Sequence, residues 1–318
     1  MTISTPLGEL HGLPVFDFPG PDSRVALPDA ASVAWRLSAP TYSEPDDEPW
    51  EPLFDRFLRT VDAGRVRALV VGGWDEAYEN SSAPIVAALI GANDRLTALE
   101  AVFLGDMTFE DCEISWIQQS DVTPLLAAYP RLLEFGVRGG SELAFPSIHH
   151  AGLRSLVVES GGLGAGVVRG IAGSDLPALE NLDLWLGSDE YGGDSTVADL
   201  EPLLAGTAFP SLRHLGLRNS HIQDEIAAAV ANAPVVARLD RLDLSMGTLT
   251  DEGGAALLAG GPLTHLAYLG LSHHYLSKEM RERIIDALTP HGVTVDVDDA
   301  QQPDENGGVV YRYVAVAE

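Results

Sequence analysis

Residues 239–271 read LDRLDLSMGTLTDEGGAALLAGGPLTHLAYLGL. They carry one motif twice: Leu239, Leu242 and Leu244, then Leu266, Leu269 and Leu271, an aliphatic residue at the first, fourth and sixth places of a short window. The last two places are two residues apart, so on an extended chain both point to the same side while the residue between them points away. This predicts a short strand with one face turned to a core. Between the copies, Thr250 precedes Asp251, Glu252 and a run of small and apolar residues, the pattern of a capped helix with an acidic first turn. A strand, a helical return and a second strand in the same sense form the unit that the two copies share.

The same triplet recurs upstream as Leu212, Leu215, Leu217; Leu179, Leu182, Leu184; Leu153, Leu156, Val158; Leu132, Phe135, Val137; Leu99, Val102, Leu104; and Val66, Leu69, Val71. Successive first positions lie 33, 33, 21, 26, 33, 27 and 27 residues apart. A period of this size marks a stack of supersecondary units. The expected fold is therefore α/β: a right-handed solenoid of about eight repeats, with a parallel concave sheet and helices on the convex side. Helices are expected at Ala83–Gly91, Asp199–Ala205, Gln223–Ala233, after Thr250, and after Ser277, where Met280, Ile284, Ile285 and Leu288 keep helical spacing.

The repeats resemble leucine-rich-repeat proteins of the bacterial intracellular style, similar to ribonuclease inhibitor, from about Arg65 to Val297. That family continues with an asparagine three residues past the last strand leucine and then another apolar residue. Here the apolar place is kept at Phe109, Leu163, Ile222, Leu249 and Leu276, but the asparagine place reads Trp74, Met107, Gly140, Gly161, Gly187, Ser220, Gly247 and His274. The ladder that ties up turn amides in the family is thus expected to be missing. The stretches CEISWIQQSDVTPLLAAYP (112–130), RGGSEL (138–143), DLWLGSDEYGGD (183–194) and RYVAVAE (312–318) resemble, more narrowly, a bacterial leucine-rich-repeat family whose members tend to be encoded beside radical-SAM-type, ATP-grasp-type and hydrolase-type proteins. That resemblance implies an accessory role in a small biosynthetic or modification pathway, with its enzymes as partners.

A solenoid exposes apolar area at both ends and needs caps. Residues 1–63 are expected to form one: VFDF and VAWRL alternate as strands, with Val33, Trp35 and Leu37 on one face. A Pro- and acid-rich loop (Pro40–Pro49) follows, and Trp50, Leu53, Phe54, Phe57, Leu58 and Val61 make a helical stripe. Residues 64–300 hold the repeats, closing with a strand at Val293, Val295 and Val297. In 301–318 an acidic loop leads to a terminal strand, Val309–Ala317, expected to pair beside the last strand or fold over the exposed end.

The formal charge is −28, with Lys278 the only lysine. Such a field repels phosphate backbones and anionic lipid, so nucleic acid and membrane surfaces are not expected partners. The same composition also fits a GC-rich bacterial genome. Cys112 is the sole cysteine, which excludes an intramolecular disulfide. The N-terminus has no basic region followed by an apolar run, and no stretch is long enough to span a membrane, so a cytoplasmic place is expected.

Candidate binding residues are the outward ones on the concave strands: Phe103, Arg138, Glu159, Asp183, Trp185, His214, Arg218, Arg241, Asp243 and Tyr268. Trp, Tyr and Arg are common interface anchors. The arginines either hold an anionic or carboxylate-bearing partner or pair with Glu159, Asp183 and Asp243 on neighbouring strands. A second candidate is the loop rim after the strands, with Trp74, Asp189, Glu190, Tyr191, His273 and His274, suited to a small ligand or an enzymatic role. No spacing matches a metal-ligand motif, and no nucleophile elbow, phosphate loop or dinucleotide fingerprint appears, so no cofactor, metal or catalytic residue is expected. Acidic neighbours Asp111 and Glu113 should raise the Cys112 thiol pKa, which fits a buried filler rather than a nucleophile. His149-His150 reads as a loop pair, and SGGLGAG (160–166) lacks the lysine of a phosphate loop. The favoured function is a non-catalytic protein-binding module presenting its concave face; the alternatives are a ligand or enzyme site on the rim, or a purely structural component.

Overall fold

The structure, a computed structural model, describes residues 3–42 and 44–318. Ser43 of the expected Pro40–Pro49 loop, and Met1 and Thr2 of the N-terminal stretch, lie outside the described residues. One sheet of twelve strands runs through the molecule, its spatial order identical to the chain order, and it does not close. It begins with an antiparallel hairpin, β1 (Glu9–Leu10) and β2 (Leu13–Asp17). From β2 onward every neighbour is parallel: β3 (Ala34–Leu37), β4 (Ala68–Val71), β5 (Ala101–Leu104), β6 (Glu134–Arg138), β7 (Ser155–Glu159), β8 (Asn181–Gly187), β9 (His214–Ser220), β10 (Arg241–Asp243), β11 (Tyr268–Gly270) and β12 (Thr294–Asp296). Eight helices make the returns: α1 (Trp50–Thr60), α2 (Ala83–Gly91), α3 (Thr123–Ala128), α4 (Ala165–Ala172), α5 (Val197–Leu204), α6 (Gln223–Val230), α7 (Asp251–Ala259) and α8 (Lys278–Leu288). This is an α/β fold of solenoid type. Among the described residues no helix is long and apolar enough to cross a membrane.

The aliphatic triplets are the spine. All eight point into the core, none above 3% exposed, and they form one continuous cluster with the helices. Register carries them across the sheet: Trp35, Leu69, Val102, Phe135, Leu156, Leu182, Leu215, Leu242, Leu269 and Val295 are paired in succession. Each fully buried Leu or Val side chain contributes about 1.5–3 kcal/mol against exposure, so the stack is held mainly by this column and its two companions.

Thr250 caps α7 by accepting from Glu252 N, and Ser277 caps α8 by accepting from Met280 N, as the sequence predicts. Helices α3 and α4 were not expected. The N-terminal stripe closes the first turn as expected: Trp50, Leu53, Phe54, Phe57 and Leu58 are buried by α1, with the Phe57 ring 5.6 Å from Trp35 and 5.2 Å from Phe18.

The asparagine ladder is absent, and other polar groups tie the turns. His274 is wholly buried; its Nδ1 accepts from Leu276 N at 3.0 Å and its Nε2 reaches Val297 O at 3.0 Å. His150 bridges Leu153 N and Tyr129 O in the same way. Gln119 Nε2 donates to Arg138 O at 2.7 Å, while Ser160 and Ser220 hydroxyls accept from the amides two residues on. Of the apolar places after the turn, Leu163, Leu249 and Leu276 are buried and Ile222 half-buried, but Phe109 is 43% exposed.

At the C-terminal end β12 is the edge of the sheet. Val309–Tyr311 (β14), the start of the expected terminal strand, neither joins it nor covers it; it pairs antiparallel in a separate exposed hairpin with Asp304–Asn306 (β13), which lies in the stretch expected to be a loop. The remaining residues, 312–318, turn back along the ends of the strands.

Candidate functional site

The face of the sheet away from the helices divides into two halves. Over β3–β5 the outward residues Ala34, Ala68, Val70 and Ala101 are completely buried, because Leu10, Leu13 and Val15 of the N-terminal hairpin lie on them. Asp106, just past β5, anchors this cover. Its carboxylate, fully buried, accepts from Leu7 N (3.1 Å), Arg36 Nη2 (2.7 Å) and Arg138 Nη1 (3.2 Å). Arg36 also donates to Leu7 O. Arg138 in turn reaches Met107 O and Glu159, its Nε lying 2.7 Å from Glu159 Oε2. At the lower edge His11 spans Glu134 (2.8 Å) and Glu100 (3.3 Å).

Two expected anchors are thereby buried rather than displayed. Phe103 is 4% exposed and lies under the Arg138 guanidinium, 5.5 Å from ring centre, and Arg138 itself is 3% exposed. The strand next to Phe103 has Gly136 opposite it, where a Cβ would come 2.3 Å from Phe103 Cδ2; only glycine leaves room for the ring. Burial pushes the Glu159 carboxyl above its usual range, against the pull of Arg138.

Over β8–β11 the face is uncovered by the N-terminal segment and strongly polar. Register sets Asn181 beside His214, His214 beside Arg241, and Arg241 beside Tyr268 in one row. The next row holds Asp183, Gly216, Asp243 and Gly270, and a Cβ at Gly216 would meet Asp183 Oδ1 at 2.6 Å. Arg218 pairs with Asp183 (3.1 Å) and approaches Asp243 (3.6 Å), and its guanidinium lies 5.4 Å from the Trp185 ring centre. Arg241 is exposed, sits 4.3 Å over the Tyr268 ring, and has no carboxylate within ion-pair distance among the described residues. Of the three arginines, then, two pair with the expected acids and the third stacks on an aromatic ring.

Four polar atoms in this half have no hydrogen-bond partner from the chain although they are buried: Asn181 Oδ1, Asp183 Oδ1, Trp185 Nε1 and His214 Nε2. Burial raises the Asp183 carboxyl, despite Arg218, and lowers the His214 imidazole. Burial also pushes the Tyr268 phenol up to about 12, with Asp243 and Asp296 adding to it.

The C-terminal tail borders this half. It crosses the strand ends from one repeat to the next, antiparallel to the direction of the solenoid. Tyr313 N donates to the Tyr275 hydroxyl at 2.8 Å, and that hydroxyl donates to Tyr313 O at 3.1 Å. Ala315 N donates to Met246 O at 2.8 Å. The Asn219 carboxamide then holds both backbone groups of Val316, its Oδ1 accepting from Val316 N at 2.9 Å and its Nδ2 donating to Val316 O, and the same Nδ2 reaches Ser160 O. Ala315 and Val316 are buried against Ile114, with Ile3, Trp185 and Met246 packed beside them.

The rim residues do not converge on one site. Trp74 is buried, its Nε1 donating to Asn80 O at 2.9 Å, and His274 is consumed by the turn bonds described above. Asp189 and Glu190 are exposed in a short 3-10 turn. Tyr191 and His273 are far apart in the stack and hold opposite ends of the tail: Tyr191 OH donates to Glu318, and His273 Nε2 lies 3.2 Å from Tyr313 O. The Glu318 contact, with burial, raises the Tyr191 phenol to about 12. Cys112 is buried and its thiol is pushed up to about 11, first by burial and then by Glu113 and Asp111. Trp116, four residues on, is 55% exposed. Among the described residues no group of three or more His, Cys, Asp or Glu side chains is arranged to hold a metal ion.

Asp106, Asn219 and Tyr275 carry the covers of this face, and neither Asp106 nor Asn219 was a sequence candidate. For Asn219 the available signal was a small amide directly after a strand, at φ +55, a conformation that asparagine tolerates better than most residues.

The chain matches no protein-family profile and no curated protein. It is similar to a protein from Bacteroides fragilis known from a structural-genomics crystal structure, with 32% identity and a TM-score of 0.74, over 79% of this chain and 70% of that one. At this identity and coverage, the chain belongs to the same family as that Bacteroides fragilis protein.

Proposed function

We propose that this chain is a non-catalytic, cytoplasmic protein of leucine-rich-repeat type that presents the β8–β11 half of its concave face to a protein partner. The observation that carries the reading is the cluster of unpartnered buried polar atoms on Asn181, Asp183, Trp185 and His214. A buried polar atom left without a hydrogen bond costs about 1–3 kcal/mol, so a partner towards which the Asn181, Asp183 and Trp185 side chains turn, meeting the first two with donors and the third with an acceptor, recovers that cost on binding. Arg241 and Tyr268 beside them supply an exposed, preassembled cation–aromatic anchor. The carboxylates nearest the hollow support recognition over catalysis: Glu159 and Asp183 are each engaged by an arginine, which ties up the group a proton transfer would need. The narrower sequence resemblance suggests where the partner comes from, an enzyme of a small modification pathway.

The test is affinity capture from cells of the source organism, quantified by mass spectrometry, with the full chain and with Arg241→Asp and Tyr268→Ala. Both positions are on the open half, so the variants keep the fold. A partner lost with both variants and retained with Glu225→Ala on the helical side is the expected result. Equal recovery with all of them overturns the assignment of this face.

A further inference from the structure

A second surface, on the rim above β3–β5, is independent of the concave-face reading. Its residues come from the loops after three successive strands: Tyr42 after β3, Tyr78 after β4, and Phe109, Cys112, Glu113 and Trp116 after β5. Together they line a pocket of about 220 Å3. Tyr42 is 67%, Phe109 43% and Trp116 55% exposed, so three of the eight large hydrophobic residues exposed among the described residues open onto this one pocket. Single exposed apolar side chains need no explanation, but a group of aromatic rings around one concavity does.

The rings are held in place. Tyr42 and Tyr78 stack with centroids 5.5 Å apart and planes at 26°. Thr108 N and Oγ1 both bond the Asp111 carboxylate, at 2.9 and 2.8 Å, which fixes the turn that bears Phe109. Phe109 N donates to Ile3 O at 2.9 Å, and Trp116 N to Glu113 O at 2.9 Å. The electrostatics are one-sided. Glu113 is in the lining, Glu76 and Glu79 flank Tyr78 in the sequence, and no lysine or arginine lines the pocket.

Elsewhere in the chain some rings, buried ones among them, are paired with its own arginines, while the exposed Tyr311 and Tyr313 are not. Phe18, Phe103, Trp185, Tyr268 and Tyr275 each carry one of the chain's own arginines within 6 Å of the ring centre. The four rings of this pocket carry none among the described residues. Ring faces attract a cation, and a neighbouring carboxylate strengthens the attraction. In a chain with a formal charge of −28 this pocket combines rings and an acid without supplying the cation.

We propose that the Tyr42–Tyr78–Phe109–Trp116 pocket receives one basic side chain, arginine or lysine, projecting from a partner protein, with Glu113 as its counter-ion. The experiment is saturation-transfer NMR and calorimetry on the full chain with four probes: the N-acetyl amides of arginine, lysine, citrulline and leucine. The cationic probes are expected to bind with dissociation constants of about 1–10 mM. Citrulline, which keeps the shape of arginine without its charge, and leucine are expected to bind at least about tenfold more weakly. Trp116→Ala and Glu113→Gln should each weaken arginine binding several-fold while leaving the melting temperature unchanged, since both side chains are exposed. Equal binding of citrulline or leucine, arginine binding unaffected by Trp116→Ala, or no arginine binding at about 10 mM would each overturn the proposal.

Discussion

The face over β3–β5 and the face over β8–β11 share one backbone ladder, yet the chain finishes the first and leaves the second unfinished. In the first half the outward positions are Ala34, Ala68, Val70 and Ala101, small and apolar, and a hairpin from the same chain lies on them. Its charges are closed among themselves: Arg36, Asp106, Arg138 and Glu159 satisfy one another out of solvent. In the second half the outward positions are Asn181, Asp183, His214, Arg241 and Asp243. Some of their polar atoms find no partner within the chain, and Arg241 has only a ring to lean on. The difference teaches that position on a concave sheet does not define a binding surface. What defines it is whether the chain itself has already satisfied the groups displayed there.

The largest expected effect breaks the closed half. Arg138→Ala takes the arginine from Glu159 and one of two arginines from Asp106, leaving buried carboxylates undercompensated. Removing one partner of a buried charge group costs about 3–5 kcal/mol. Arg241→Ala, its counterpart in the other half, removes a stacked but exposed side chain and should cost about 0.5–1 kcal/mol. Urea unfolding of the two variants beside the unaltered chain measures the contrast, read as a shift in midpoint at constant slope. Comparable losses would mean that the two halves are equally structural.

Much of this was legible in the sequence. The triplets announce the strands because a period of two with an aliphatic residue on one side has few other readings, and all eight turn inward. Capped or strongly periodic helices such as α7, α8 and α1 were readable for the same reason. Helix α3 escaped notice because it is six residues long, and α4 because Gly166 and Gly170 break its apolar period and its N-cap, Gly164, carries no side chain. Gly170 is dictated by the tertiary structure: a Cβ there would lie 1.7 Å from Phe145 O.

The division of the face was half legible. Outward residues that are all Ala, Val or Phe in β4 and β5 signal a covered surface, whereas Asp, His and Arg in β8–β10 signal a wet one. The identity of the cover was not readable. Leu7 meets Asp106 across 99 positions and Val316 meets Asn219 across 97, and no local pattern encodes such contacts. RYVAVAE reads as a strand, but its backbone is held by side chains and one loop carbonyl instead of a neighbouring strand.

That tail offers an intermediate effect, because it is a cover on the half that is otherwise open. Asn219→Ala removes its bonds to Val316 and to Ser160, and is expected to cost about 1–3 kcal/mol. Hydrogen exchange reads the outcome locally. The Val316 amide should lose its protection while amides of the core strands, such as Leu215, keep theirs. Loss of protection throughout the sheet would show that the tail is part of the spine; unchanged protection at Val316 would show that Asn219 does not hold it.

The smallest effect concerns pH and contrasts two histidines, His274 in a finished turn and His214 on the unfinished face. Burial lowers both below the ordinary value of 6.5. Unfolding returns each to that value, so in mild acid the unfolded chain binds more protons than the folded one, and stability falls as pH drops from about 6.5 through the folded-state values. Each histidine can contribute a slope of at most about 1.4 kcal/mol per pH unit. Glu159 and Asp183 act in the opposite sense, since carboxyls raised by burial lose stability as pH rises through their folded-state values, so the total profile mixes the two. A difference profile separates them. Thermal unfolding of the chain and of His274→Gln between pH 7.5 and pH 5 should show a shallower acid loss in the variant, because protonating His274 Nδ1 would cancel its bond from Leu276 N. For His214, whose Nε2 has no partner within the chain, the comparison is with and without a captured partner. If that partner supplies a donor to His214, binding weakens as the ring protonates, and His214→Gln removes that pH dependence without the stability loss that His274→Gln brings. A pH dependence of binding that survives His214→Gln would place the contact elsewhere on the face.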